Sequence, residues 1–365
     1  MTIKRALRWT TLLILVALGA WFFIAYWMSS NECDRKTALT NPMKAIIYCE
    51  YGLANLKYQD IEKSVPLDDE VLVRIRSSSV NPADRIYTGA ARIITGLRKP
   101  KVTRLGTDFA GTVEAVGKNV TNFKPGDEVF GGRTGAFAEY VCVRADRAIV
   151  PKPASITFEQ AASMPIAAIT ALQGLRDKGH IQAGQKVLIN GASGGVGTFA
   201  VQIARSFGAE VTGVCSSRNL DLVRSIGADH VIDYTKEDFT NTSNRYDLIF
   251  DLIGNHSFSE RRRILTPNGI CVMAGVGGSG APMGHVLRVL GGELNAYVRS
   301  RLTTQKFLTY LAHITQKDLA ILADLSQSGK VTPVIDRSYK LNELPAALTY
   351  LEQGHARGKV VITID

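Results

Sequence analysis

The stretch INGASGGVG, from Ile189 to Gly197, has four glycines in its last seven residues and follows the apolar run KVLIN. Glycine weakens the interior of a strand or helix by roughly 0.5–1 kcal/mol relative to alanine, so the cluster indicates unusual backbone torsions or close contact with another group. Strand-like and helix-like runs then alternate: TFAVQIARSFG, EVTGVCS, NLDLVRSIGA, HVIDY, YDLIFDLIG and GICVMAGV. This alternation predicts an α/β fold with a doubly wound parallel sheet, in which the glycines form a strand-to-helix turn.

The spacing of these glycines is typical of a turn that binds phosphate. Gly191, Gly194 and Gly197 lie at i, i+3 and i+6, with Gly195 as an extra glycine. In a dinucleotide-binding fold, this spacing lets backbone N–H groups meet a pyrophosphate at a helix N-terminus, where the helix dipole favours negative charge. A turn with only a structural role is the alternative. The sequence therefore predicts a dinucleotide cofactor.

The end of the next strand decides which cofactor is expected. An NAD site would place Asp or Glu there to accept the ribose hydroxyls, whereas this chain has Cys215-Ser216-Ser217-Arg218. Hydroxyls and a guanidinium suit a 2'-phosphate, which a carboxylate would repel, so we expect NADPH. The alternative is that Ser216 caps the following helix and that Arg218 is solvated.

The chain before this unit has a different rhythm. From Met43 to about Pro165, short apolar runs such as EVLVRIRSSSV and AFAEYVCV are broken by Gly, Pro and Asp. This pattern predicts a β-rich, barrel-like unit. The carboxyl-terminal segment again has short strands around one helix, and we expect it to rejoin the first unit.

The amino-terminal segment resembles a membrane anchor. Residues 1–8 are basic, residues 9–28 carry no charge, and residues 29–42 form a polar linker. Twenty residues of helix span roughly 30 Å, the thickness of a bilayer core, so we predict one transmembrane helix and a single-pass membrane location. A cleaved signal peptide is the alternative. Lys4, Arg5 and Arg8 favour translocation of the large domain, whereas its thiols and cofactor favour a reducing, cytosol-like side.

Charge and cysteine content bound the other function classes. The net charge is +10, but the 43 Lys and Arg are spread along the chain, so we do not expect a nucleic-acid partner. The five cysteines are odd in number and widely separated, and most lie in apolar segments. We therefore expect buried free thiols rather than disulfides.

Several segments in one order resemble the medium-chain dehydrogenase/reductase superfamily, in its zinc-independent quinone-oxidoreductase and enoyl-reductase-like branch. They are GTDFAGTVEAVG, FKPGDEVFG, LINGASGGVGTFAVQIA, GADHVIDY and GHARGKVVITI. The resemblance implies a GroES-like β-barrel catalytic domain at residues 43–165 and a Rossmann domain for NADPH at 166–319. Residues 320–365 would return to the catalytic domain, and the active site would lie in the cleft between the two.

The resemblance also implies cofactor contacts from both units. These are Thr170, Gly191, Ser193, Gly194, Gly195, Val196, Gly197, Ser216, Arg218, Tyr234, Gly275, His355, Ala356 and Arg357. Relatives often carry Asn after the Asp of a DNVG motif, whereas Leu252 follows Asp251 here. We therefore expect one polar contact of those relatives to be missing.

Zinc relatives place cysteine and histidine ligands where this chain has VNPADR and GTDFAG, so we expect no metal. The resemblance then implies hydride transfer from NADPH to a small electrophilic substrate, a quinone or an α,β-unsaturated carbonyl. Asn81, Asp84 and Tyr87 are the catalytic candidates, with Asn81 donating a hydrogen bond to the substrate oxygen or to the cofactor. The alternative for Asn81 is that it shapes the turn before Pro82.

Two other functions stay open. One is a membrane-tethered NADPH-binding sensor or scaffold with little turnover, and the other is an alcohol-dehydrogenase-type reductase of another carbonyl. Assembly as a homodimer is an option that the sequence leaves open.

Overall fold

The computed structural model describes residues 19–20, 23–24, 31–34, 38–84, 98–274, 291 and 303–365. Tyr87 and Gly275, two of the predicted site residues, lie outside this part of the chain.

The first half of the chain forms antiparallel sheet. Its strands are β1 Pro42–Tyr48, β2 Leu56–Glu62, β3 Glu70–Val80, β4 Asp108–Val116, β5 Glu128–Gly132, β6 Tyr140–Arg144 and β7 Ile149–Pro151. Strand β3 is central, because it pairs with β4 and also with β6. Its apolar side chains pack with those of the neighbouring strands: Val71, Val73, Ile75 and Phe109 are at most 1% exposed. This architecture agrees with the predicted GroES-like unit.

The second unit is a parallel sheet, as predicted. Its strands are β8 Lys186–Asn190, β9 Glu210–Cys215, β10 His230–Asp233, β11 Tyr246–Asp251, β12 Leu265–Met273 and β13 Lys306–Thr309. Their order is β10-β9-β8-β11-β12-β13, and every pair is parallel. Val187, Leu188 and Ile189 of β8 are 0% exposed because both faces of the sheet are covered. The strand order reverses at β8, where ligands of such sheets usually bind.

Helices of the described chain cover these sheets. They are α1 Phe158–Ala162, α2 Pro165–Gln173, α3 Gly195–Ser206, α4 Leu220–Ser225, α5 Phe258–Arg263, α6 Gln316–Gln327 and α7 Leu344–Glu352. Two begin with reciprocal capping bonds, Thr157 with Gln160 at α1 and Ser257 with Glu260 at α5. Such bonds satisfy backbone N–H groups that have no partner within the helix.

The carboxyl-terminal segment joins the first sheet. Strand β14 (Ile335–Lys340) pairs in parallel with β15 (Lys359–Thr363), and β15 pairs antiparallel with β3. The register aligns Val360 with Val80. The chain therefore leaves the parallel sheet and places Lys359 beside the end of β3.

The membrane prediction is corrected by the structure. Residues 9–28 lie outside the described residues apart from Gly19, Ala20, Phe23 and Ile24. In the described part of the chain, no helix is long and apolar enough to cross a membrane. A spanning helix needs about 20 residues, whereas α3 and α6 have 12 each.

The expectation of free thiols is wrong for two cysteines. Cys33 and Cys49 form a disulfide, while Cys142, Cys215 and Cys271 are free. Around this bond, Asn31 Nδ2 donates to the Cys49 carbonyl (2.9 Å) and Glu32 accepts from Arg104 Nε (3.3 Å). The bond fixes residues 31–34 to the end of β1. It also removes the argument for a reducing compartment, which rested on free thiols.

We predict that the free energy of unfolding of the double variant Cys33→Ser/Cys49→Ser is about 3 kcal/mol lower than that of the native protein. The reason is that the disulfide closes a loop of 16 residues in the unfolded chain. Guanidinium unfolding without reductant measures this difference. Cys142→Ser is the control, since its thiol is free and only half-buried. An unfolding midpoint of the native protein that reductant leaves unchanged would contradict the prediction.

Candidate functional site

The glycine-rich turn connects β8 to α3, and two of its glycines are required by the fold itself. Gly191 has a φ of 91°, a backbone conformation that other residues rarely adopt. A Cβ on Gly197 would lie 2.1 Å from the Gly191 carbonyl oxygen. Any side chain at Gly197 would therefore push the helix away from the turn.

At Gly194, in contrast, neither the backbone conformation nor a close contact with the described residues requires glycine. Its φ is −80°, and a Cβ there would meet nothing closer than the Gly191 oxygen at 3.5 Å. The first helical bond runs from Thr198 N to Gly194 O, so the N–H groups of Gly195 to Gly197 have no partner within the helix. Open space beside free helix N–H groups suits an anion that approaches the backbone closely.

Asn219 lies between this turn and the end of β9, and sequence reasoning missed it. Its Nδ2 donates to the hydroxyls of Ser193 (3.0 Å) and Ser216 (3.2 Å). Its Oδ1 is buried and has no hydrogen-bond partner in the part of the chain that the structure describes. A buried acceptor without a partner costs about 1–3 kcal/mol, so a group from outside the protein is expected beside it.

Ser216 and Arg218 lie at the end of β9 as predicted. The Ser216 side chain makes no capping bond to the short 3-10 helix Ser217–Asn219. The exposed Arg218 donates from one terminal nitrogen to the His355 carbonyl (2.9 Å). No carboxylate oxygen of the described residues forms an ion pair with Arg218. At the tip of β9, the Ser216 hydroxyl and the Arg218 guanidinium therefore have no acidic partner among the described residues.

An acidic residue on the neighbouring strand was overlooked. Asp233 ends β10, is 6% exposed, and accepts hydrogen bonds from the hydroxyls of Ser217 and Thr235. These bonds lower the pKa of the Asp233 carboxyl to about 2. Lys236 Nζ lies 3.6 Å from it. The charge of Asp233 is thus partly neutralised by its own surroundings.

Other predicted cofactor residues lie on several separate elements. Tyr234 follows β10 and is 58% exposed. The segment from His355 to Arg357 leads into β15, and Gly358 N donates to the Ser193 carbonyl (2.9 Å). Val196 is the second residue of α3 and is half-buried. Thr170 of α2 donates its hydroxyl to the Ile166 carbonyl (2.7 Å).

Opposite the turn, Asn81 belongs to a buried network with Asp84, Asp108 and Lys359. Asn81 is 2% exposed. Its Nδ2 donates to Asp108 Oδ2 (2.9 Å) and to the Ser79 carbonyl (3.4 Å), while its Oδ1 accepts from Lys359 Nζ (2.6 Å). Both ends of the carboxamide are therefore engaged within the protein, and a bond to the substrate oxygen would have to replace one of these bonds.

Asp84 is buried in the same network. Its Oδ2 accepts from Asn81 N (2.7 Å). Burial raises the pKa of the Asp84 carboxyl to about 7. The charge of Asp108 also raises this pKa, whereas the hydrogen bond from Asn81 N and the charge of Lys359 lower it. Asp84 therefore changes its charge near neutral pH.

Asp108 and Lys359 were not found as site residues from the sequence. Asp108 is 0% exposed and accepts from Ile166 N (3.0 Å), in the first turn of α2, and from the Ser79 hydroxyl (2.8 Å). Lys359 is 4% exposed, and burial lowers the pKa of its ammonium group. The GTDFAG and GHARGKVVITI segments that contain them were the only signal.

Comparisons with known proteins now decide the family. Residues 67–154 match the family described as "Alcohol dehydrogenase GroES-like domain", and residues 226–362 match "Zinc-binding dehydrogenase". The chain is 30% identical to the Bos taurus "NAD(P)H oxidoreductase RTN4IP1, mitochondrial", covering 93% of this chain and 96% of that protein. It is 31% identical to the Arabidopsis thaliana "NADPH-dependent alkenal/one oxidoreductase, chloroplastic", covering 89% and 80%.

A solved structure agrees with these matches. The quinone oxidoreductase from Coxiella burnetii superposes with a TM-score of 0.75 at 30% identity, covering 89% of this chain and all of that one. This chain belongs to the medium-chain dehydrogenase/reductase superfamily, in its zinc-independent quinone-oxidoreductase-like branch. It is an NAD(P)H-dependent oxidoreductase.

One expectation changes for this superfamily member. The bovine relative is named as mitochondrial, which contradicts the single-pass membrane location predicted from residues 9–28. At the position where relatives often have Asn, Leu252 packs against the apolar core beneath the parallel sheet. Asp251 Oδ1 instead accepts from the backbone N–H groups of Ile253 (3.1 Å) and Gly254 (2.9 Å).

We predict that Gly194→Ala keeps the stability of this oxidoreductase within about 0.5 kcal/mol, because the new methyl group fits the fold. The same variant should weaken NADPH binding about tenfold or more, because that methyl group fills the space beside the helix N-terminus. Thermal unfolding and calorimetric titration measure the two effects. Gly197→Ala is the contrast and should destabilise the protein itself. Unchanged NADPH affinity of Gly194→Ala would refute the assignment of the turn.

We predict that Asp84 makes stability fall as pH rises. Its folded pKa, about 7, is above the ordinary 3.8, so its stabilising contribution is complete below 3.8 and is lost as pH rises through 7. The slope is at most about 1.4 kcal/mol per pH unit for one proton. Asp84→Asn should remove this slope in denaturant unfolding across that pH range, while the exposed Asp68→Asn should not. Parallel curves for Asp84→Asn and the native protein would contradict this.

Proposed function

We propose that this oxidoreductase uses NADPH to reduce quinones or α,β-unsaturated carbonyls without zinc. The observation that carries the proposal is the site formed by the glycine-rich turn and the tip of β9. There, the N–H groups at the start of α3, the hydroxyls of Ser193 and Ser216 and the Arg218 guanidinium are possible donors to phosphate, and the buried Asn219 Oδ1 has no partner among the described residues. The residues present fit a phosphorylated dinucleotide.

NADPH is favoured over NADH by the charges at the strand tip. Arg218 uses one terminal nitrogen for the His355 carbonyl, and its guanidinium has further N–H groups that suit a phosphate. The nearest feature that would favour NADH is Asp233. Its oxygens are engaged by Ser217 and Thr235, so it is a weaker competitor for a ribose hydroxyl than a free carboxylate.

When bound, the nicotinamide supplies a hydride for the electron-poor carbon of the substrate. The protein contributes position: the glycine-rich turn binds the dinucleotide, its Ser193 carbonyl accepts from Gly358 N, and Lys359 joins this contact to the buried network. Binding in a fixed geometry supplies much of the rate in such reactions. The names of the Arabidopsis and Coxiella proteins support enones and quinones as the substrate class.

The donor set at the buried network does not suit zinc. Asn81 and Asp108 stand in the segments where zinc relatives have their ligands, but Lys359 Nζ already lies 2.6 Å from Asn81 Oδ1 and 3.5 Å from Asp108 Oδ2. A divalent cation bound to these oxygens would face the lysine ammonium at short range. Zinc in proteins also prefers cysteine sulfur and histidine nitrogen.

Turnover tests the proposal. The purified full chain is mixed with NADPH or NADH and a panel of quinones, enals and enones, and nicotinamide absorbance is followed. We expect substrate-dependent oxidation of NADPH that is faster than that of NADH. Tight NADPH binding without turnover of any substrate would favour the sensor or scaffold instead.

In the same assay, Arg218→Ala should lower kcat/KM for NADPH about 10- to 100-fold and leave that for NADH nearly unchanged, because only NADPH carries the 2'-phosphate. Arg224→Ala is the matched control, since Arg224 lies on the next helix and pairs with Asp221 (3.0 Å). Equal losses with both cofactors would refute the role of Arg218 in cofactor choice.

A further inference from the structure

Lys359 is a buried lysine, and the proposed chemistry does not require it. It is the first residue of β15, and its side chain is 4% exposed. Lysine is almost never fully buried unless its charge is paired, because removing an ammonium group from water costs several kcal/mol. Its position therefore calls for an explanation.

The ammonium group has one acceptor for each of its three N–H donors. Nζ donates to Asn81 Oδ1 (2.6 Å) and to the Val80 carbonyl (3.1 Å), and it lies 3.5 Å from Asp108 Oδ2. Lysine can only donate. The amide oxygen of Asn81 must therefore face Lys359, and its amide nitrogen must face Asp108. Lys359 thus determines the orientation of the Asn81 carboxamide.

The stem of the same side chain lies beside the glycine-rich turn. A Cβ on Gly195 would lie 3.1 Å from Lys359 Cδ and 3.5 Å from the Gly358 carbonyl oxygen. The preceding residue, Gly358, donates its N–H to the Ser193 carbonyl (2.9 Å). One side chain therefore lies beside the first residue of α3 and donates a hydrogen bond to the end of β3.

We propose that Lys359 is a positioning residue that couples occupation of the glycine-rich turn to the placement of Asn81 on the opposite wall. The inference rests on the proposed function, because it needs a dinucleotide at the turn. A diphosphate at the N-terminus of α3 restrains the backbone against which the lysine stem packs, and the ammonium group transmits this restraint to Asn81 and the end of β3.

Lys359→Met tests the coupling, because methionine keeps most of the stem and removes the ammonium group. We expect kcat to fall about tenfold or more while the KM for NADPH changes less than about threefold, since the stem still packs beside Gly195. Lys359→Gln retains an N–H donor for Asn81 and should recover part of kcat. Lys152→Met is the matched control: its side chain is 5% exposed and pairs with Glu128 (3.1 Å), and it makes none of the contacts described for the cleft.

A double-mutant cycle separates positioning from a general loss of stability. If Lys359 acts through Asn81, Lys359→Met/Asn81→Ala should lose no more kcat than the worse of the two single variants. Additive losses would overturn the proposal. So would a kcat for Lys359→Met that matches that of Lys152→Met. If Lys359→Met does not fold, Lys359→Gln replaces it in the test. The proposal then requires that the kcat of Lys359→Gln be higher than that of Asn81→Ala.

Hydrogen exchange gives a readout that does not depend on turnover. Adding NADPH should slow amide exchange at residues 191–198 and also at residues 77–84 in the native protein, but only at 191–198 in Lys359→Met. Slowing at the turn alone in the native protein overturns the coupling and leaves the proposed function intact. No change at either place, with no NADPH binding, overturns the proposed function itself.

Discussion

The contact between the glycine-rich turn and the start of β15 is the constraint on which the rest of the structure depends. Gly358 N donates to Ser193 O at 2.9 Å, and Lys359 follows at once with its stem beside Gly195. Glycine is required at position 358, because its φ is 96° and a Cβ there would lie 2.3 Å from the Val334 carbonyl oxygen. The parallel sheet and the antiparallel sheet therefore meet at the place where a dinucleotide is expected.

The parts of this arrangement that are local in sequence could be predicted. The order of β8, turn and α3 follows from an apolar run, a glycine cluster and a helical run that lie within about 20 residues. Gly194 could be proposed as a phosphate-binding residue for the same reason. Ser216 and Arg218 follow directly after β9, so their position at the end of that strand could be predicted from the sequence alone.

The buried network could not be predicted, because its members come from distant parts of the chain. Lys359 and Asn81 are 278 residues apart, and Lys359 and Asp108 are 251 apart. No periodicity or spacing brings them together; only the pairing of β3 with β15 and with β4 does. The prediction of free thiols was wrong for a related reason, since no residue pattern near Cys33 or Cys49 indicates that they pair. The membrane prediction rested on the hydropathy and length of residues 9–28. These two properties describe how hydrophobic a segment is and take no account of the rest of the fold.

The electrostatics of the network agree with a reaction in which the substrate oxygen becomes negative. Two carboxylates and one ammonium group are buried together, and each isolated charge would cost several kcal/mol. Because the pKa of Asp84 is about 7, this carboxyl is partly protonated at neutral pH, and Asp108 and Lys359 then form a balanced pair. When Asp84 is protonated, this network carries no net negative charge and does not oppose negative charge on a bound substrate. Loss of the lysine ammonium would leave Asp108 uncompensated in that network, so positioning of Asn81 and electrostatic balance depend on the same group.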